Sequence, residues 1–390
     1  MNIKRAALGL VLPYCAIALF SCATARGAAA AAEKAAPNTA SAFFAEALSF
    51  VVQGDYDTAI ACFTDALKLD PDFALAYFSR GNAYYNFKGD YDRAIADYTQ
   101  LIRLDPNVAF AYSFRGNAYY RTGDYDRAVA DYTQAIKLDP NDASAYKWRG
   151  DAYRSKEDYD RAFADYTQAI RLDPNDASAY SSRGFAYSNK GDYDQAVADY
   201  TQAIRLDPNK ALAYSSRGFA YRSKGDYDRA LADYTQAIRL APDYASAYWF
   251  RGAVYYSKGD YDRAIADYTQ VVKLDPNDED TKRLLVLVYN IRGGNYYVKG
   301  NYDQAIADYA QAVRLDPNDA TAYKLRGAVY YSKGDYDRAI ADYTQAIKLD
   351  PNDATAYRSR GNAYYGKGDY DRAIADFTQA IKLDPNSAVA

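Results

Sequence analysis

The sequence predicts an all-α protein built from ten tandem pairs of helices, and two observations support this. The tripeptide Leu-Asp-Pro (once Leu-Ala-Pro) recurs with eight of its nine intervals at 34 or 35 residues and one at 41, and a period near 34 is typical of a helix–turn–helix repeat. The 44 tyrosines, with no histidine and one methionine, indicate a short segment copied many times. The recurring prolines are Pro71, Pro106, Pro140, Pro174, Pro208, Pro242, Pro276, Pro317, Pro351 and Pro385.

The N-terminal segment, residues 1–21, is predicted to be a signal peptide. Lys4 and Arg5 precede an apolar stretch over residues 6–20, which has the length of a signal-peptide core. It is shorter than the roughly 20 apolar residues that a membrane-spanning helix needs. Residues 19–22, Leu-Phe-Ser-Cys, resemble a bacterial lipobox. This resemblance implies that Cys22 becomes the lipid-carrying first residue and anchors the chain to a membrane, facing the periplasm or the cell surface.

Residues 22–39 are rich in alanine and hold few large side chains. We expect this segment to be a tether between the anchor and the repeats. An alternative is ordinary cleavage after the small-x-small sequence at residues 23–25, with the mature chain starting at Arg26. That outcome would give a soluble periplasmic or secreted protein.

Residues 143–172 show why one repeat should fold as a helix pair. Tyr146 and Tyr153 are seven residues apart, which places them on the same face of a helix. Gly150 lies between them. A glycine in mid-helix costs up to about 1 kcal/mol and usually marks a close helix crossing. In the second helix Tyr166 sits among alanines, and this pattern predicts a ring packed where the partner backbone approaches closely.

The residues between the predicted helices agree with this assignment. In most repeats a glycine follows the first helix, where it is favoured just past the C-terminus. An aspartate then stands at the N-cap of the second helix, for example Asp124, Asp192 and Asp226. The proline of Leu-Asp-Pro ends the second helix.

With Ala143 as position 1, these positions resemble the tetratricopeptide repeat consensus: aromatic at 4, Gly at 8, Tyr at 11, Ala at 20, Tyr at 24, Ala at 27 and Pro at 32. The resemblance covers residues 40–385. It implies a right-handed α-solenoid of about ten repeats, whose first helices line a concave groove that binds peptides or partner helices.

The chain departs from that consensus at position 7, where the family usually has leucine and nine repeats here have arginine. The same nine repeats carry aspartate at position 23, and the first repeat lacks both, having Glu46 and Cys62. This joint loss predicts an Arg–Asp pair in each repeat, such as Arg149 with Asp165. The alternative is shared ancestry of the copies without contact.

The long interval carries seven extra residues within 277–289. Either the first helix of repeat 8 begins early, or a surface loop is inserted. The first repeat has phenylalanines in place of several tyrosines, which favours a role as a cap, because the outer face of a terminal repeat must be solvated. Only residues 386–390 follow the last proline as a C-terminal tail, so the last repeat is predicted to be uncapped.

Specificity is expected on the first helices, because their positions 2, 5, 9 and 12 vary among the copies and share one face. Exposed aromatic residues beside arginine are typical of binding hot spots. The alternative is that these rings pack against neighbouring helices. The family's carboxylate-binding clamp is incomplete, because Lys147 is followed by Asp151 instead of Asn. The candidate groove-binding residues are Arg154, Phe185, Phe219, Arg222, Trp249 and Tyr256.

The composition and the motifs also bear on the class of function. Lys and Arg total 47 against 51 Asp and Glu, without the basic excess of a nucleic-acid-binding protein. No metal-ligand cluster, phosphate-binding loop or nucleophile motif stands out, so neither catalysis nor a cofactor is predicted. We expect a scaffold at the bacterial cell envelope that binds a protein or peptide segment with apolar and acidic residues. The alternative is a structural envelope protein that self-associates by stacking through its last repeat.

Overall fold

The computed structural model describes residues 38–385. Over that range the chain forms twenty α-helices in tandem pairs and contains no strand. This confirms the prediction of an all-α fold with about ten helix-pair repeats. The predicted signal peptide, Cys22 and nearly all of the tether lie outside the described residues, as does the tail 386–390.

The chain divides into two compact units between Asp192 and Tyr193. The first unit holds repeats 1 to 4 and the first helix of repeat 5. Its helices are Ala40–Gln53, Tyr56–Leu69, Ala74–Ala83, Tyr91–Leu104, Ala109–Thr122, Tyr125–Leu138, Ala143–Ser155, Tyr159–Leu172 and Ala177–Lys190.

The second unit holds the second helix of repeat 5 and all of repeats 6 to 10. Its helices are Tyr193–Leu206, Ala211–Ser223, Tyr227–Leu240, Ala245–Ser257, Tyr261–Leu274, Glu279–Val298, Tyr302–Leu315, Ala320–Ser332, Tyr336–Leu349, Ala354–Lys367 and Tyr370–Leu383.

The turns within repeats use the predicted capping chemistry. The carboxylate of Asp124 accepts from the Arg127 backbone N–H at 3.0 Å, and Asp226 accepts from Arg229 at 3.2 Å. Gly123 ends the first helix of repeat 3 with φ of 83°, a left-handed conformation that favours glycine. In these repeats the helices therefore begin and end at the residues that the sequence predicted.

The glycine at position 8 sits where the two helices of a repeat cross. A Cβ atom on Gly150 would lie 2.9 Å from Cε1 of Tyr166, closer than packed atoms tolerate. The close crossing predicted at this glycine is confirmed. The ring of Tyr166 packs with Ala162 and with Ala186 of the next repeat. In the first unit, tyrosine and alanine side chains thus form a thin core that continues from one repeat to the next.

Repeat 2 contains a π-helical segment, Tyr84–Lys88, that continues its first helix. This repeat belongs to the single 35-residue interval, and a π turn absorbs one extra residue without ending the helix. The ring of Phe87 in this segment stacks on Tyr56 of repeat 1, with centroids 3.6 Å apart. The extra residue therefore adds a contact between neighbouring repeats.

The seven extra residues of repeat 8 lengthen its first helix, and the alternative of an inserted loop is wrong. The helix Glu279–Val298 is 20 residues long, and the carboxylate of Asp278 caps it by accepting from the Thr281 N–H at 2.9 Å. The added turns bury Leu285, which packs together with Val288 against repeat 7. They therefore enlarge the core of the second unit.

Phenylalanines form the core of the first repeat. Phe44 and Phe63 are buried together, with ring centroids 5.5 Å apart, and Phe73 packs against Phe44 at 5.0 Å. Within residues 38–385, none of the helices is both long enough and apolar enough to cross a membrane.

Candidate functional site

The arginine at position 7 joins three helices. In repeat 3, Nε and Nη2 of Arg115 donate to the two oxygens of Asp131 at 2.8 and 2.7 Å, while Nη1 donates to Thr99 of the preceding repeat at 3.1 Å. The predicted Arg–Asp pair is confirmed. The same bidentate geometry joins the pairs Arg80–Asp97, Arg115–Asp131, Arg149–Asp165, Arg217–Asp233, Arg251–Asp267, Arg292–Asp308, Arg326–Asp342 and Arg360–Asp376.

These pairs are structural, because they lie between the helices and away from the variable face. Asp97 and Asp131 are buried. The hydrogen bond to Asp131 raises the pKa of the Arg115 guanidinium, and burial raises the pKa of the Asp97 carboxyl although the hydrogen bond from Arg80 opposes it. Each buried charge of such a pair stabilises the other, and removal of one side chain leaves the other as a buried, unpaired charge.

A second set of ion pairs links neighbouring repeats at the surface. Lys258 lies 2.7 Å from Asp228, and Lys333 lies 2.6 Å from Asp303. In each pair the aspartate side chain is almost fully exposed, so water and salt screen the attraction. These links therefore add little stability beside the buried Arg–Asp pairs.

The variable face, which we define as positions 2, 5, 9 and 12 of the first helices, forms a strip within each unit. In the first unit Lys147 donates to Ser178 of the next repeat at 2.6 Å. In the second unit the hydroxyl of Tyr297, at position 12, lies 2.9 Å from that of Ser332, which follows position 12 of the next repeat. Successive first helices thus present these side chains side by side.

Two of the six candidate groove residues, Arg154 and Phe185, lie in the first unit and are brought together there. The guanidinium carbon of Arg154 lies 4.9 Å from the centroid of the Phe185 ring. Phe185 is 45% exposed. This geometry is a cation–π contact with one ring face directed to the guanidinium.

Arg154 also has an internal counter-charge. Its Nε donates to the hydroxyl of Tyr166 at 3.3 Å, and its Nη2 lies 3.6 Å from the carboxylate of Asp151. The same hydroxyl donates to Asp151 at 2.8 Å. Desolvation raises the pKa of the Asp151 carboxyl, and the Tyr166 hydrogen bond and the Arg154 charge oppose that rise. The Arg154 guanidinium, the Tyr166 hydroxyl and the Asp151 carboxylate are therefore partners of one another within the same repeat.

The other four candidates, Phe219, Arg222, Trp249 and Tyr256, lie in the second unit. Phe219 is 36% exposed, and its ring lies 5.9 Å from that of Phe250. Trp249 and Tyr256 are half-buried and pack against the apolar cluster between repeats 7 and 8. Part of the surface of Trp249 and Tyr256 is therefore packed against neighbouring helices. This is the alternative given above for these aromatic residues.

Arg222 differs from Arg154 in its surroundings. It is half-buried, and among residues 38–385 no hydrogen bond, ion pair or ring contact holds its guanidinium. The hydroxyl of Tyr234, on the second helix of the same repeat, is buried without a hydrogen-bond partner among the described residues. An unsatisfied buried donor costs about 1–3 kcal/mol, so repeat 6 carries an incomplete polar cluster.

Sequence reasoning missed the apolar residues at position 2. Leu75 and Phe110 in the first unit, and Leu212 in the second, are each more than two-fifths exposed. Position 2 belongs to the variable face, so the helical spacing alone was enough to identify them. They extend the apolar part of the face beyond the six candidate residues.

Family profiles match nearly all of the repeat array. The matches to profiles described as "Tetratricopeptide repeat" or "TPR repeat" cover residues 44–109, 115–177, 177–210, 199–232, 217–279, 293–334, 327–368 and 354–387. The chain belongs to the tetratricopeptide repeat family. Members of this family are generally non-enzymatic scaffolds for protein–protein interaction. A comparison with curated proteins finds no match.

Solved tetratricopeptide repeat structures resemble this chain. One, from Parabacteroides merdae, is 21% identical with a TM-score of 0.53, over 64% of this chain and 99% of that one. The C-terminal part of a TPR repeat-containing protein from Cytophaga hutchinsonii is 20% identical with a TM-score of 0.54, over 64% and 98%. MamA is 30% identical with a TM-score of 0.39, over 43% and 96%. The first two support the fold and indicate no partner.

Proposed function

We propose that this tetratricopeptide repeat protein is a non-catalytic scaffold that binds a partner peptide or helix along the variable face of its first helices. The observation that carries the proposal is the exposure of apolar side chains on that face. Leu212 and Phe219 are seven residues apart on one helix, and both are exposed. Apolar side chains left open next to arginine are the usual material of an interface.

The proposed place of action is the bacterial cell envelope. This part rests on the sequence of the N-terminal segment, in which Cys22 follows an apolar stretch of signal-peptide length. A lipid on Cys22 would hold the repeats near a membrane. Mass spectrometry of the mature N-terminus tests it: a lipid-modified Cys22 is expected, and an unmodified start at Arg26 would overturn the anchor.

Site-specific photocrosslinking in intact cells tests the binding face. A photoreactive phenylalanine analogue replaces Phe219 on the variable face or, as the control, exposed Lys273 on a second helix. We expect defined protein adducts from position 219 and none from position 273. Equal adducts at both positions, or none at position 219, would contradict binding at this face. The variant Phe219→Ser is expected to weaken capture at a second crosslinker placed at Leu212.

Self-association is a second candidate, and the last repeat favours it. Ile374, on the second helix of repeat 10, is 63% exposed, whereas its counterpart Ile340 in repeat 9 packs against Ala363 and Tyr343. Tyr370 and Ile381 on the same helix are more than half exposed. Light scattering across protein concentration distinguishes the two candidates. A concentration-dependent mass that Ile374→Lys abolishes would support stacking, and a constant monomer would exclude it.

A further inference from the structure

The tyrosine at position 24 needs a hydrogen-bond acceptor for its hydroxyl when that hydroxyl is buried. In repeats 3 and 4 the residue at position 9 supplies it: Tyr132 donates to Asn117 at 2.7 Å, and Tyr166 donates to Asp151 at 2.8 Å. In these repeats the side chain at position 9 is thus the acceptor of the tyrosine hydroxyl.

Repeat 6 lacks that acceptor. Phe219 stands at position 9, and the buried hydroxyl of Tyr234 has no hydrogen-bond partner among the described residues. The ring of Tyr234 is fixed by stacking on Phe250, with centroids 5.8 Å apart and planes 16° apart. The hydroxyl therefore cannot turn away to find another partner.

Arginine occurs at position 12 in repeats 4 and 6. Arg154 in repeat 4 reaches both Tyr166 and Asp151, so its charge is balanced within the repeat. Arg222 occupies the equivalent place in repeat 6, but Phe219 replaces the acid. Burial raises the pKa of Tyr234 and of Tyr268, and the Arg222 charge acts against that rise at both hydroxyls. A guanidinium thus stands near two buried hydroxyls with no carboxylate bonded to it.

Repeats 4 and 6 therefore present the same cluster with and without its acid. We infer that repeat 6 binds a carboxylate side chain of the partner segment, an aspartate or glutamate, which takes the place that Asp151 holds in repeat 4. The carboxylate accepts from the Arg222 guanidinium and, once the partly exposed Phe219 ring rotates aside, from the Tyr234 hydroxyl. Apolar residues of the same segment pack on Leu212, which is 56% exposed on this helix.

This inference rests on the proposed function and names the chemistry of its partner. It also assigns unequal roles to the two arginines at position 12, Arg154 and Arg222. Arg154 is already paired with Asp151 and contributes little to capture of an acid, whereas Arg222 offers an unshared charge-assisted bond. Specificity for an acidic residue therefore lies in the second unit.

The test uses the full chain and a random twelve-residue peptide library displayed on phage. Selection is run against the wild type, Arg222→Gln and Phe219→Asp. The control is Arg205→Gln, which removes the same charge from an exposed position on a second helix. Phe219→Asp copies repeat 4 and gives Arg222 and Tyr234 an internal acceptor. Its melting temperature is expected to equal or exceed that of the wild type, so loss of binding in this variant cannot come from misfolding.

Peptides enriched on the wild type and on Arg205→Gln are expected to carry aspartate or glutamate beside apolar residues. Binding of these peptides should fall by about tenfold or more for Arg222→Gln and Phe219→Asp, the size expected for a lost charge-assisted hydrogen bond. Acidic preference that persists in either variant would overturn the inference. Enrichment of purely apolar peptides would overturn it while the proposed function stands, and no enrichment on the wild type would contradict both.

Discussion

Arg149 and Asp165 face each other with two parallel hydrogen bonds, from Nε and Nη2 of the guanidinium to the two carboxylate oxygens, each 2.8 Å long. The Asp165 side chain is 8% exposed and that of Arg149 is 17% exposed. Because the remaining partner would be a buried, unpaired charge, we expect Arg149→Ala and Asp165→Ala each to cost about 3–5 kcal/mol of unfolding free energy. Urea denaturation of the full chain measures it.

The double variant separates pairing from general disruption. If the two side chains act as a pair, removal of both costs clearly less than the sum of the single changes, with a coupling energy of about 1–3 kcal/mol. Strict additivity would show that the contact contributes nothing of its own. The exposed pair Lys258 and Asp228 is the matched comparison, and we expect a coupling there below about 1 kcal/mol.

Two adjacent glycines in repeat 8 should respond in opposite directions to alanine. A Cβ on Gly293 would lie 2.9 Å from Cε1 of Tyr309, whereas a Cβ on Gly294 would meet the Tyr309 hydroxyl at 3.6 Å, an ordinary contact. We expect Gly293→Ala to destabilise by about 1–3 kcal/mol through overpacking. Gly294→Ala should stabilise by up to about 1 kcal/mol, because alanine favours the helix. Thermal melting of both variants measures this, and equal effects would contradict the close crossing.

Stability should fall at high pH through the buried tyrosines. Burial raises the pKa of Tyr309 and of Tyr343 to about 12, whereas an unfolded tyrosine has a pKa near 10. Since the folded pKa is the higher one, the stabilising contribution is complete below about pH 10 and is lost as pH rises towards about 12. Melting temperatures between pH 8 and 12 measure the loss.

The control for this pH dependence is the double variant Tyr309→Phe and Tyr343→Phe. It copies repeat 10, where Phe377 packs in the same way over Gly361. We expect its melting temperature to decline less steeply than that of the wild type above pH 10. Parallel curves would show that ionisation of these two hydroxyls does not cause the loss of stability.

The lengthened helix of repeat 8 offers a buried and an exposed leucine two residues apart. Leu285 is 2% exposed within the apolar cluster shared with repeat 7, and Leu287 is 46% exposed. We expect Leu285→Ala to cost about 2–5 kcal/mol and Leu287→Ala to stay within about 0.5 kcal/mol. Urea midpoints compare them. A small effect at Leu285 would mean that the added turns contribute no core.

Much of the fold could be predicted because each repeat contains the residues that begin and end its helices. The Leu-Asp-Pro ends, the capping aspartates and the glycine at position 8 predicted each helix pair, and the joint loss of arginine and aspartate in repeat 1 predicted the buried pair. The third partner of that arginine, a threonine such as Thr99, was not predicted. Threonine recurs with little variation at its position, so no change in one residue could be matched to a change in the other.

The site was less predictable than the fold. Helical spacing placed Trp249 and Arg154 on the variable face, but it does not say whether a long side chain stands free or lies on its neighbours. Trp249 packs against the cluster between repeats 7 and 8, and Arg154 is neutralised by Asp151. The importance of Arg222 depends on the buried Tyr234 hydroxyl, which has no hydrogen-bond partner among the described residues, and only coordinates show that lack. The π turn of repeat 2 was not predicted, because a single extra residue leaves no distinctive pattern in the local sequence.

The arginine that reaches back to the threonine of the preceding repeat makes the joints between copies interchangeable. Excision or duplication of 34 residues in register would bring together the same Arg, Thr and Asp groups that every ordinary joint already uses. Such an array can change length over generations without inventing a new interface. Repeat 8 is the exception. Arg292 donates to Asp262 of the preceding repeat, and Ala310 has no hydroxyl that could accept from Arg326. Copy-number variants of this protein are therefore expected to keep repeats 7 to 9 together as one inherited block.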